Sequence, residues 1–171
     1  MAAQDTPVGP VNGGLSSEIL VDERFLGFLN EFKAAVVQKD VVKVQSMISF
    51  PLPTAPKPSD DGLTLEHDSS STDKIKQPEF MEHYGAIFTS DILRLLPMAS
   101  LDNIEVIDDN ADDYYRRLQS RTDSGKVIYE VYIQYPEKNE TADSFFGLVF
   151  GQVEGEFKMI SYYAKWPVVS E

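Results

Sequence analysis

The chain contains no cysteine among its 171 residues. That removes disulfides, thiolate metal sites, iron–sulfur clusters and cysteine nucleophiles. Histidine is nearly as scarce. His67 and His83 lie far apart with no nucleophile pattern beside them, so neither a triad nor a zinc site is expected. Cationic residues are outnumbered, 15 Lys and Arg against 28 Asp and Glu, for a net charge of -13. Nucleic-acid binding needs Lys and Arg to neutralise phosphates, so an acidic chain is a poor candidate for it. Adsorption to anionic membranes is disfavoured for the same reason. No apolar run approaches the roughly 18 residues that span a bilayer, so no membrane span is expected. The N-terminus lacks a basic region followed by an apolar stretch and does not read as a signal peptide. A periplasmic or cell-envelope location is expected only if an export signal has been removed. No cofactor motif is present.

What is there is ordinary globular composition, 42% hydrophobic and 25% charged, with eight Tyr and ten Phe. This length suits one domain with one core, and the aromatic bulk can fill that core or line a cavity. Residues 1–17 are interrupted by Pro7, Gly9, Pro10, Gly13 and Gly14 and read as a flexible tail. Residues 18–167 read as the single domain.

The first half is helical in pattern. Phe25, Leu26, Leu29, Phe32, Val36 and Val37 recur at spacings of three and four, which line one side of a helix over 19–38. Ser17 is a candidate N-cap. Lys39-Asp40 marks a corner, and Asp40 can cap a shorter helix that Phe50-Pro51-Leu52-Pro53 stops. Residues 54–75 read as a long polar loop, with a short hairpin around 62–66. Loops of that length are either functional or disordered, and this composition favours disorder or plain surface. Helical spacing returns at Phe80, Tyr84, Ile87 and Phe88, with Pro78 in a first turn. Thr89 or Ser90 can cap one more short helix that Pro97 ends.

The period then changes to two. Residues 114–122 read as a strand, followed by an Asp123-Ser124-Gly125 turn. Val127, Tyr129, Val131, Ile133 and Tyr135 alternate with Ile128, Glu130, Tyr132 and Gln134, which predicts a strand with one strongly apolar face. Residues 145–153 and 157–166 read as two further strands joined by a Glu154-Gly155 turn. Gly147 and Gly151 share one face, which predicts strong bending of the sheet. The expected fold class is therefore α+β, with N-terminal helices packed on one face of a curved antiparallel C-terminal sheet. Such a sheet, closed by helices, leaves a cavity at its open end, and ligand sites favour such concave places.

This order resembles the NTF2-like (cystatin-like α+β) superfamily. The likeness rests on the amphipathic helix over 19–38, the Lys39-Asp40 corner, and the second helix ending Ile48-Ser49-Phe50-Pro51-Leu52. It rests also on the helix from Glu79 to Phe88 and the hairpin over 147–160. It covers residues 19–166 apart from the polar loop. The resemblance implies a cone-shaped, pocket-prone fold of the kind seen in small, uncharacterised bacterial exported proteins and lipoproteins. The superfamily also includes ketosteroid-isomerase-like enzymes, dehydratases and pocket-binding subunits, so fold alone does not choose among them.

The acidic stretch 102–113 gives Asp108, Asn110 and Asp112 the one-three-five spacing of a calcium loop. Asp113 stands where that loop needs Gly, and Gln119 where it needs Glu, so no metal site is expected. On a strand, Arg117 and Arg121 share a face opposite Arg116, and an Arg facing a pocket could clamp a carboxylate. Glu130 stands opposite the apolar face of its strand, with Tyr84, Tyr132 and Tyr162 as candidate hydroxyl donors beside it. The candidate ligand-binding set is Tyr84, Tyr129, Glu130, Tyr132, Tyr162 and Arg117, with no catalytic residue assigned. Asn139-Glu140-Thr141 fits a glycosylation sequon. The leading expectation is a non-enzymatic domain that binds a small apolar or amphipathic ligand or a protein partner, without cofactor. The alternative is a small isomerase- or dehydratase-like enzyme that uses a pocket carboxylate and Tyr. A homodimer through the exposed face of the sheet is compatible with either.

Overall fold

The computed structural model describes residues 21–54, 74–108, 113–138 and 142–165. Helix α1 is Glu23–Val37. It starts later than the periodicity suggests because Asp22 provides the cap: its carboxylate accepts from Arg24 N at 2.8 Å. Ser17 lies outside the described residues. The helix buries Phe25, Leu29, Phe32, Ala35 and Val36, while Val37 stays exposed. The expected corner follows. Lys39 takes a positive φ of 56°, and Asp40 caps α2 (Val41–Ser46) by accepting from Lys43 N at 3.1 Å.

The Phe50–Pro51 peptide is cis, and β1 (Leu52–Pro53) follows directly. It pairs with β2 (Lys74–Ile75), so the end of the expected loop is strand. The hairpin expected around 62–66 lies outside the described residues, as do the 1–17 tail and the 139–141 sequon. A 3₁₀ turn holding Pro78 leads into α3 (Phe80–Ile87). Thr89 caps α4 (Ser90–Leu95), accepting from Ile92 N at 3.4 Å.

Two elements differ from the sequence reading. Residues 104–107, within the acidic stretch, form β3 (Ile104–Ile107). The candidate strand at 114–122 is instead helix α5 (Asp113–Gln119). Tyr-Tyr suits a strand by propensity, but Tyr115 and Leu118 lie three apart and both are buried, which is helical spacing. Asp113 in the first turn and Arg116 and Arg117 in the last complement the helix dipole.

Strands β4 (Ile128–Pro136), β5 (Asp143–Val153) and β6 (Glu156–Ala164) complete an antiparallel sheet in the order β3-β4-β5-β6. The last strand ends at Ala164, short of the proposed stop at Pro167, which lies outside the described residues. Glu154 and Gly155, with φ of 53° and 83°, make the hairpin turn. The β4-β5-β6 part of the meander is therefore as expected, and the chain is mixed α+β, with α1 to α3 in its N-terminal half and the antiparallel sheet in its C-terminal half.

The sheet is covered on both faces. Tyr129, Val131, Phe146, Phe150, Met159 and Tyr162 join α1 in the main core. Ile107, Ile128, Val149, Ile160 and Tyr163 form a second cluster under Tyr115 and Leu118 of α5. The helices are thus not confined to one face. A β-bulge decides which β6 residues go where. Val149 pairs with Ser161 but Phe150 pairs with Met159, leaving Ile160 unmatched. Phe157 and Met159 face the main core before the bulge, and Tyr162 and Ala164 face it afterwards. Tyr163 is thereby sent to the α5 side.

Candidate functional site

The six candidate residues do not converge. Tyr129 lies in the main core, its ring stacked at 4.2 Å and 9° on Phe25, and its hydroxyl accepts from Asp22 N at 3.2 Å. It ties the start of α1 to the sheet. Tyr84 packs between Phe80 and Phe88, at 5.8 and 4.8 Å between ring centres. Among the described residues its buried hydroxyl has no hydrogen-bond partner, and burial, reinforced by the Asp40 charge, raises its pKa. Arg117 is exposed on α5, and since 114–119 is helical, its strand-face pairing with Arg121 does not exist. Arg121 donates instead to Pro51 O at 2.9 Å. Tyr132 is 37% exposed and stacks on Phe145 at 6.0 Å. His83 is half-buried on α3, and His67 is outside the described residues.

Glu130 and Tyr162 each belong to a polar feature of the fold, on opposite faces of the sheet. Glu130 is 2% exposed under α5. Its Oε1 accepts from Tyr115 Oη at 2.7 Å and from Tyr163 Oη at 2.9 Å. These are not the hydroxyls expected from the sequence, because neither α5 nor the β6 bulge was legible there. Beside this group, the Tyr114 and Ser161 hydroxyls lie 2.8 Å apart. Gly147 makes the arrangement possible. A Cβ there would sit 2.2 Å from Tyr163 Cζ, so only glycine lets the ring lie across β5. Space for Tyr163 is thus the role the structure gives this glycine.

Burial, then the neighbouring Glu130, raises the pKa of both Tyr115 and Tyr163, which keeps them protonated donors. The unfolded chain releases these protons near pH 10, as ordinary tyrosines do. Above that pH the folded state holds more protons than the unfolded one. Stability contributed by the phenols is therefore complete below about pH 10 and falls as pH rises beyond it, by about 1.4 kcal/mol per pH unit for each phenol. Denaturant titrations at pH 8, 10 and 11, followed alongside phenolate absorbance, should show phenolate from these two residues appearing only with unfolding. Titration near pH 10 in the folded protein, with no loss of stability, would refute the assignment.

Tyr162 belongs to a cleft on the main-core side, at the end of the sheet beside α4. Its inner part, about 140 Å³, is lined by Ile92, Tyr135, Ser144, Phe146, Tyr162 and Ala164, together with Thr89 and Asp91. A wider outer part of about 400 Å³ shares Asp91, Tyr135 and Ser144 and adds Arg94, Glu137 and Lys138. The acids here are already neutralised: Arg94 pairs with Asp91 at 3.1 Å, and Lys165 with Glu137 at 2.8 Å. Another groove, about 430 Å³ and more open, lies between α1, α2 and the β5–β6 turn around Phe28, Met47 and Phe157.

Among the described residues no cluster of three His, Asp or Glu side chains could hold a metal ion, and no helix is long and apolar enough to cross a membrane. Asn110 and Asp112 of the calcium-like spacing lie outside the described residues. No protein-family model matches this chain, and no curated protein matches it.

Proposed function

We propose that this chain is a non-enzymatic domain of NTF2-like type that binds a small apolar or amphipathic ligand in the cleft between α4 and the end of the sheet. The observation that carries the reading is the cleft's composition. Phe146, Tyr162, Ile92 and Ala164 supply apolar walls, while Thr89, Asp91 and Ser144 supply polar groups. Small-molecule sites combine concave apolar walls with a few placed polar groups in this way. The test is an amide chemical-shift titration of the protein with hexan-1-ol and with the amphiphilic dye 1-anilinonaphthalene-8-sulfonate. Shifts are expected to concentrate at Ile92, Ser144, Phe146 and Tyr162. Shifts confined to other surfaces, or none at all, would overturn the reading.

An isomerase- or dehydratase-like enzyme is the second reading, favoured by one observation: a buried carboxylate, Glu130, bound by two phenols. Acid–base sites use such groups. It ranks second because Glu130 lines none of the three clefts described above, and a general base must reach the proton it takes.

A further inference from the structure

The inner cleft contains two hydroxyls that the fold leaves unused. Ser144 is 4% exposed and Tyr162 is 2% exposed. Both line the cavity. Among the described residues neither hydroxyl makes a hydrogen bond, and neither is a fully buried atom, so both are open to the cleft. Their neighbour Thr89 accepts from Ile92 N and keeps its own proton to donate. Burial raises the pKa of Tyr162, so its phenol is a proton donor at neutral pH. The cavity therefore offers donors to whatever occupies it.

The remaining walls set the shape. Phe146 and Tyr162 flank the space, and Tyr135 stands 6.2 Å from Phe146 between ring centres. An apolar cavity of about 150 Å³ takes up benzene, and this one is about 140 Å³. The inner part matches the volume of one six-membered ring. Ser144 lines both parts of the cleft, as do Asp91 and Tyr135, so an oxygen attached to such a ring has the Ser144 hydroxyl within the lining that both parts share. Further substituents would extend into the outer part, where Lys138 makes no ion pair among the described residues.

From this the geometry points to a single-ring aromatic carbonyl compound as the ligand class. The ring occupies the inner cavity, and the carbonyl or carboxylate oxygen accepts from Ser144 and Tyr162. The inference rests on the cleft being the ligand site and adds the chemistry of its occupant.

The test titrates the full chain with benzamide, benzoate, toluene and hexan-1-ol, followed by amide shifts and calorimetry. Benzamide and benzoate are expected to bind in the cleft. Ser144→Ala and Tyr162→Phe should each weaken benzamide binding about two- to tenfold, the range of one hydrogen bond. Toluene binding should not change. Because the free protein uses neither hydroxyl, the melting temperature of both variants should match that of the parent. A melting temperature lowered in both variants would show the hydroxyls to be structural and would overturn the inference. Equal weakening of toluene and benzamide would overturn it too, since the variants would then act through packing. Binding of hexan-1-ol in the cleft without benzamide or benzoate would overturn the ligand class and leave the proposed function standing. Failure of all four compounds and of the dye to perturb the cleft would overturn both.

Discussion

Phe25→Ala is expected to lower the stability of the folded chain by about 3–5 kcal/mol, the usual cost of emptying a buried aromatic site. Phe25 is 0% exposed. Its ring stacks on Tyr129 at 4.2 Å and meets Phe150 and Phe157, each at 5.5 Å. Those rings come from β4, β5 and β6, so one side chain of α1 touches three strands. Truncation removes the transfer free energy and leaves a cavity that a rigid sheet closes only in part. A domain is ordinarily stable by about 5–15 kcal/mol, so the loss is a large share of the whole. Val42→Ala, at a position 71% exposed on α2, should change stability by less than about 0.5 kcal/mol. Urea titration of both variants provides the measurement: the midpoint should fall for Phe25→Ala with little change in slope. Equal midpoints for the two variants would show that α1 does not anchor the sheet through this ring.

Glu130→Ala should be comparably damaging, for a polar reason. Two buried phenols donate to one carboxylate oxygen. Removing the acceptor strands both, at about 1–3 kcal/mol for each unsatisfied group, so a loss of about 2–6 kcal/mol is expected. The asymmetry of hydrogen-bond energetics supplies the sharper test, because removing donors and acceptor together costs far less than removing the acceptor alone. Glu130→Leu combined with Tyr115→Phe and Tyr163→Phe should therefore recover most of what Glu130→Ala loses. Chemical denaturation of the single and combined variants yields the coupling energy. If the Tyr→Phe changes cost as much beside alanine as beside glutamate, the phenols are not held by Glu130 and α5 is anchored by other contacts. The same experiment bears on the enzymatic reading. A carboxylate whose main effect is on stability is a structural tie between α5 and the sheet.

Much of the fold was legible where the signal is local. The amphipathic period of α1, the Asp40 cap, the Thr89 cap and the Glu154-Gly155 turn each depend on residues within one turn of one another. The strand pattern of β4 was legible because alternation needs only the strand itself. The α5 region misled because Tyr114 and Tyr115 suit a strand by propensity, whereas their structure follows from the sheet face that α5 covers. Strand β3 was missed because Ile104, Val106 and Ile107 sit among acidic residues, and four residues are too few for a clear period. The candidate site was legible only in fragments. Glu130 and Tyr162 were singled out, but not Ser144, which reads as an ordinary polar residue at the start of a strand.

By itself the sequence determined the exclusions and the class: no thiol chemistry, a strongly acidic chain, helices first and an antiparallel meander last. Tertiary structure decided which faces those elements present. The unmatched Ile160 changes which β6 residues face the main core, and one inserted residue has no local signature, because a bulge exists only relative to the partner strand. That single step places Tyr162 in the cleft and Tyr163 over Gly147 beside Glu130. Composition and periodicity describe what a segment can bury. Register across strands decides against what it is buried, and both the cleft beside α4 and the buried carboxylate are products of register.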